Sequence, residues 1–337
     1  MKKFRVFMFC LLSLSILSCT MLDDSGQSTQ EDKSESARLL KEADAEMRAK
    51  RNFEGALELY KKSATQAGSE DNNSVRVEAL AQAARMYSLT SRLEEGWDWL
   101  RKATDIATPA EPLGWSRYLG VRGIFERESK EKEKAVATFK EMYEFCVKEK
   151  LHSRAIDAAH HVAIAGTLEE QVEWGLKGIR EAEAGGVERW LGPLWNNLGN
   201  TYDELERYEE ALEAFEKSKA AHEKAGSGDP LISDWVLGKT LRKLGRLKKA
   251  RLLLKDATEE ARRRFEQDPK KSAIEWVGWC AWEVGELRLA EGEKAKGVLE
   301  LKRGLGELEK AGMPSWGPYF EAQFQKMKNR LESVEND

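Results

Sequence analysis

Residues 195–215 read WNNLGNTYDELERYEEALEAF. Apolar residues recur at helical intervals on both sides of Leu205–Tyr208, so the stretch predicts two helices joined by a short turn. Gly199 and Ala211 are small where the two antiparallel helices cross closely. Trp195, Leu198, Tyr202 and Phe215 are the bulky residues that fill in around that crossing. One such hairpin cannot bury its own apolar face, so neighbours must stack on it.

The neighbours are visible in the sequence. Small or neutral anchors at the start of each second helix fall at Ala56, Gly96, Ala135, Gln171, Ala211, Ala250 and Gly297, separated by 40, 39, 36, 40, 39 and 47 residues. The fourth repeat is degenerate, with Gln171 and Gly175 where a small and a bulky residue belong. Gly317-Pro318 then opens a last helix whose Phe320, Phe324, Met327 and Leu331 form one apolar stripe, as suits a terminal cap. With 34% charged and 41% hydrophobic residues and only seven Pro, the composition fits a Lys/Glu-rich helical array with almost no strand.

The pattern W-x2-L-G-x2-Y…A-x3-F, carried by Trp195, Leu198, Gly199, Tyr202, Ala211 and Phe215, resembles the tetratricopeptide repeat. The resemblance implies an all-α, right-handed superhelical solenoid of six to seven helix hairpins plus a C-terminal capping helix. It covers nearly all of residues 37–312, with the cap and a polar tail at 313–337.

The amino terminus reads differently. Lys2, Lys3 and Arg5 precede a short apolar run from Val6 to Leu17, too short to span a bilayer as a mature helix. It ends in Ile16-Leu17-Ser18-Cys19, which resembles a bacterial lipobox. That resemblance implies a signal peptide at 1–18, a lipid on Cys19 and, because residue 20 is Thr, an outer membrane facing the periplasm in a two-membraned source. Residues 19–36 are polar and acidic and read as a disordered tether. The 17 residues from Thr20 to Ser36 would reach about 20–25 Å from the anchor.

Losing residues 1–18 removes three of the 55 Lys and Arg, leaving 52 against 59 Asp and Glu. Such an acidic chain is not a general nucleic-acid binder. Of the four cysteines, Cys10 goes with the signal and Cys19 takes the lipid. Cys146 and Cys280 read as buried small hydrophobes without a disulfide. Chemistry is poorly represented. No HExxH, CxxC or GxSxG occurs, and Gly238-Lys239-Thr240 lies inside a helical pattern without the leading glycine of a phosphate loop. No enzyme, cofactor or metal is expected.

In tetratricopeptide arrays the first helix of each repeat lines a groove, and the resemblance places particular residues there. They are Arg38, Lys41, Arg48, Arg85, Arg117, Arg127 and His160 in the first four repeats. Glu78, Glu128, Glu204 and Glu286 also map to the groove. The later repeats give a sharper candidate for a partner-binding site: Asn196, Asn200, Asp203, Trp235, Lys239, Arg242, Lys243, Trp279 and Trp282. The asparagines can hydrogen-bond an extended backbone, the cations can hold an acidic group, and the indoles offer stacking faces. Trp276, Trp279 and Trp282, at i, i+3 and i+6, equally suit a buried ridge, and the sequence leaves both readings open. The functional expectation is a membrane-anchored adaptor or scaffold in the bacterial envelope that holds an extended segment or helix of a protein partner. The alternative is a component of envelope transport or cell-wall metabolism that binds a small solute or glycan.

Overall fold

The computed structural model describes residues 33–336. The expected signal peptide, Cys19 and most of the tether lie outside them. Fifteen α-helices and two short 3-10 turns make up the described chain, with no strand among the described residues. The fold is an all-α solenoid of paired helices, in two compact units that divide after Val187.

The first unit holds four hairpins: α1 (Glu35–Lys50) with α2 (Phe53–Ser69), α3 (Asn73–Leu89) with α4 (Leu93–Thr104), α5 (Pro112–Glu128) with α6 (Lys132–Lys148), and α7 (His152–Ala165) with α8 (Leu168–Ala184). The second holds three, followed by a single helix. These are α9 (Leu191–Glu204) with α10 (Tyr208–Lys224), α11 (Pro230–Lys243) with α12 (Leu247–Gln267), α13 (Lys271–Ala290) with α14 (Lys294–Ala311), and α15 (Pro318–Asn336).

Local chemistry sets the helix ends. Ser34, Asn52 and Asn72 accept hydrogen bonds from the backbone N–H of Ala37, Gly55 and Val75, satisfying donors that a helix start leaves free. Thr167 and Glu170 form a reciprocal capping box at α8. Ser34 starts α1 two residues before the repeat boundary read from sequence. Ser36 is fully buried there, and its carbonyl accepts from Ser63 Oγ at 2.8 Å.

The helix crossing inferred at Gly199 is present. A Cβ at that position would meet Phe215 Cδ1 at 2.7 Å, and Phe215 is almost completely buried. The same offset of sixteen residues pairs Gly123 with Phe139, Gly238 with Leu254 and Gly285 with Leu301. In α1 and α2 that offset pairs Asp44 with Tyr60, and a 2.5 Å hydrogen bond from the Tyr60 hydroxyl replaces the close apolar contact. The repeat is therefore a spacing rule for side-chain volume, and it tolerates a polar solution.

In the first unit the core is built from Leu100, Leu119, Phe125, Phe139, Met142 and neighbours, with Tyr60, Leu57 and Met86 forming a second cluster. The degenerate fourth repeat still packs: His161 lies flat on Phe139, ring centroids 4.4 Å apart, and Trp174 is buried. In the second unit Phe320, Phe324, Met327 and Leu331 of α15 cover Trp282, Leu301 and Leu308, and the buried stripe runs on to Val334. Cys146 and Cys280 are both buried, and burial pushes the Cys280 thiol up to about 12. Among the described residues no helix is long and apolar enough to cross a membrane.

Candidate functional site

In the second unit the predicted residues do gather on α9, α11 and α13, but most are engaged with one another. Asp203, almost fully buried, accepts from Lys243 Nζ at 2.7 Å and lies 3.0 Å from Lys239 Nζ. Burial acts to raise the Asp203 pKa, but the two ammonium groups outweigh it and hold the carboxyl below its usual range. Arg242 places Nε and Nη2 on Glu283 Oε2 at 3.0 and 2.8 Å, and Glu283 is itself buried. Glu286 is paired with Arg330 of α15. These three cations thus share two anions of the same unit, which corrects the expectation that they stand free for an acidic group.

The other residues divide. Asn200 turns its amide back onto Asn196 O at 3.0 Å, on its own helix, and both asparagines are half-buried. Trp235 donates from Nε1 to Trp279 O and meets Trp276 edge to face and Trp279 at a tilt. Lys239 Nζ sits 5.2 Å from the Trp235 ring centroid. Trp282 is no groove face. Its backbone crosses Gly304, where a Cβ would meet Trp282 N at 2.6 Å, and α14 and α15 bury its ring.

The first unit concentrates charge more deeply. Arg85 on α3, Arg117 on α5, and Arg154 and Asp157 on α7 are each less than 9% exposed. With Gln82, Ser116 and Ile124 they line a partly open cavity of about 10 Å³, room for one water. Arg154 Nη2 reaches Glu78 Oε2 at 2.7 Å, and Arg117 Nε lies 3.5 Å from that same oxygen. Arg85 pairs with Glu128 at 2.9 Å and with Ser88. Arg127 Nη1 lies 3.1 Å from His161 Nδ1.

Burial dominates the titration of this cluster. It pushes Asp157 up to about 7 against the pull of the surrounding arginines, and holds His160 down at about 4 and His161 well below the usual histidine range. Burial and the neighbouring Arg154 guanidinium lower the Arg117 pKa. Arg48 is held by Asp44 on its own helix, and Arg38 by the exposed Glu35 and Glu42. Among the described residues no group of His, Cys, Asp and Glu is arranged to hold a metal.

Sequence reasoning named Arg85 and Arg117 for this face but not Arg154, Asp157 or Gln82, and in the second unit it missed Glu283. A signal for two of them was present. Residues 154, 157 and 161 stand at i, i+3 and i+7 of an alanine-rich helix, so Arg154, Asp157 and His161 share one face.

A stack of antiparallel hairpins with polar side chains gathered on the first helices belongs to the class of α-solenoid repeat proteins. Residues 190–263 match the family model of the tetratricopeptide repeat. Among solved structures, a STAND signal-transduction ATPase with a tetratricopeptide repeat sensor from Pyrococcus horikoshii is 17% identical. It covers 88% of this chain with a TM-score of 0.63, and the chain spans only 44% of that protein. The apo form of RapI is 14% identical, covering 82% of this chain and 98% of its own, with a TM-score of 0.50. At such identities the likeness concerns the fold alone. No curated protein matches the chain. The matched family is one of helical repeats, and no catalytic family is indicated.

Proposed function

We propose that this protein is an adaptor of the bacterial cell envelope, anchored through a lipid on Cys19, that holds a segment of a protein partner along the first-helix faces of its hairpins. The observation that carries the reading is the buried polar face of α3, α5 and α7. Arg85, Arg117, Arg154 and Asp157 cost desolvation energy that apolar side chains would avoid, and the hairpins are already packed by the residues at the sixteen-residue offset. Charge at such a place supports recognition better than it supports stability. The lipid anchor rests on Ile16-Leu17-Ser18-Cys19.

Site-specific photocrosslinking in the native cells tests it. A photoreactive residue replaces Ser88 on α3 or Asn200 on α9, with the exposed second-helix residues Leu252 and Leu299 as controls. One envelope protein captured from first-helix positions and not from the controls supports the adaptor. Capture from the controls alone, or from none of the four, overturns it. Loss of fatty-acid labelling in Cys19→Ala tests the anchor independently.

A further inference from the structure

The second helices of the hairpins share one register, and its outermost position changes character in the last two. Two residues after the anchor lies an exposed position, held by Glu58, Asp98, Ala137, Glu173 and Glu213 in the first five hairpins. In α12 and α14 it is leucine. Leu252 and Leu299 are 65% and 67% exposed, the most exposed large hydrophobic side chains among the described residues. The inner register is kept: Leu254 and Leu301, four residues after the anchors Ala250 and Gly297, are both completely buried. The two leucines therefore face outward from successive second helices. Arg251, next to Leu252, places Nη2 on Glu291 Oε1 at 2.5 Å, just ahead of α14.

Charge changes with them. Four residues before the outermost position stand Glu54, Glu94, Glu133, Glu169 and Glu209 in the first five hairpins, each in a first helical turn, where a carboxylate complements the helix dipole. The first turns of α12 and α14 hold no acid. Three or four residues either side of the leucines stand Lys248, Lys249, Lys255, Lys296, Lys302 and Arg303, with a single acid, Asp256. A cation at a helix start opposes the dipole, so helix stability does not explain Lys248 and Lys249. Carboxylates further along do reach four of the six. Glu259 lies 3.7 Å from Lys255, Glu293 3.3 Å from Lys296 and Glu300 3.7 Å from Arg303, and Glu335 of α15 pairs with Lys302. These four cations are 39–67% exposed, and exposed pairs of this kind hold their partners weakly.

We propose that the outer face of α12 and α14 docks on an anionic membrane surface, with Leu252 and Leu299 entering the headgroup–acyl boundary and the surrounding Lys and Arg taking lipid phosphates. This goes beyond the adaptor reading and requires neither a protein partner nor the lipid on Cys19.

Composition selects a bilayer over a protein. The centre of a protein interface is depleted of lysine and enriched in aromatic residues, the reverse of two leucines ringed by lysines. Helices that lie on a membrane combine leucine with Lys and Arg. Flexible lysine stems let the ammonium stay at the phosphates while leucine goes deeper.

The test uses the full chain with a photoreactive residue at position 252 or 299, or at Glu58 or Glu213 as controls in the same register. The vesicles are phosphatidylglycerol with phosphatidylethanolamine, or phosphatidylcholine alone, and mass spectrometry counts lipid adducts. Positions 252 and 299 should exceed both controls and give at least about tenfold more adducts in anionic than in neutral vesicles. Added salt should lower that yield. Lys248→Glu/Lys249→Glu should cut capture at position 299 at least about tenfold. This variant restores acids to a helix start, so it should fold at least as well as the wild type, and its loss of lipid is not a folding defect. Equal labelling at all four positions, equal labelling in both kinds of vesicle, or undiminished capture in Lys248→Glu/Lys249→Glu overturns the proposal. Protein adducts in place of lipid at 252 and 299 in the native cells overturn it too, in favour of an acidic partner. Crosslinking from Ser88 is independent of these outcomes, so the adaptor reading is tested apart.

Discussion

Arg154 Nη2 lies 2.7 Å from Glu78 Oε2, an ion pair that joins α7 to α3 past the whole α5–α6 hairpin. Both side chains are about nine-tenths buried, and Arg117 approaches the same oxygen. Glu78 is therefore the shared anion of two buried guanidinium groups. Removing its charge in Glu78→Gln takes the nearest anion from both and should cost up to about 3–5 kcal/mol. Urea unfolding measures this. The double variant Glu78→Gln/Arg154→Met should lose less than Glu78→Gln alone, because it removes a charge as well as its partner. Equal losses would mean that the pair is not what holds the three hairpins together.

The Gly199–Phe215 contact makes a second prediction. An added methyl group in Gly199→Ala would stand 2.7 Å from the ring, so the hairpin must open or Phe215 must move, at about 1–3 kcal/mol. Phe215→Leu in that background should recover part of the loss by vacating the space. In the wild-type background the same change should instead destabilise, by leaving a cavity. A thermal-melt cycle over the four proteins shows whether the signs reverse.

Stability against pH is set by opposing groups in the first unit. His160 is held at about 4 by burial and His161 well below the usual histidine range, so from about 6.5 downward the unfolded chain binds protons that the folded chain refuses. Their contribution is present above pH 6.5 and is lost as pH falls. Asp157, raised to about 7, binds its proton more tightly when folded, so its contribution falls as pH rises from about 4 to 7. Two histidines against one aspartate leave stability rising with pH between pH 5 and 6. His160→Gln should flatten that slope and Asp157→Asn should roughly double it. Urea midpoints across the interval give the answer, and a slope unchanged in both variants would refute the assignment.

The hairpins were legible because packing geometry repeats. A small residue at the crossing and a bulky one sixteen positions later leave a pattern that one strong copy at Gly199 and Phe215 makes readable elsewhere. A helix start was legible where chemistry is local, as at Gly317-Pro318. The state of the groove residues was not, because pairing is a relation between repeats. Nothing near Arg242 in the sequence announces Glu283, which is forty-one positions away and reaches it only when α11 and α13 stack. Trp282 failed for the same reason, since its exposure depends on where α14 and α15 come to rest.

Asp203 offers the sharpest handle on the face that the sequence favoured. Its carboxylate sits between Lys239 and Lys243, with side chains 12% and 24% exposed, so neither ammonium can be fully rehydrated in place. Burial and the adjacent Lys239 already lower the Lys243 pKa, and the shared anion, with a smaller contribution from Glu283, opposes them. Asp203→Asn should therefore destabilise the second unit, by less than the roughly 3–5 kcal/mol of a fully buried pair because water partly reaches the lysines. It should also turn an internally paired surface into one that accepts anions. Sulfate binding there would stabilise the folded variant by mass action, so its melting temperature should climb with sulfate more steeply than that of the wild type. Parallel sulfate curves for the two proteins would show that Lys239 and Lys243 find other partners, and would end the case for this face as a latent anion site.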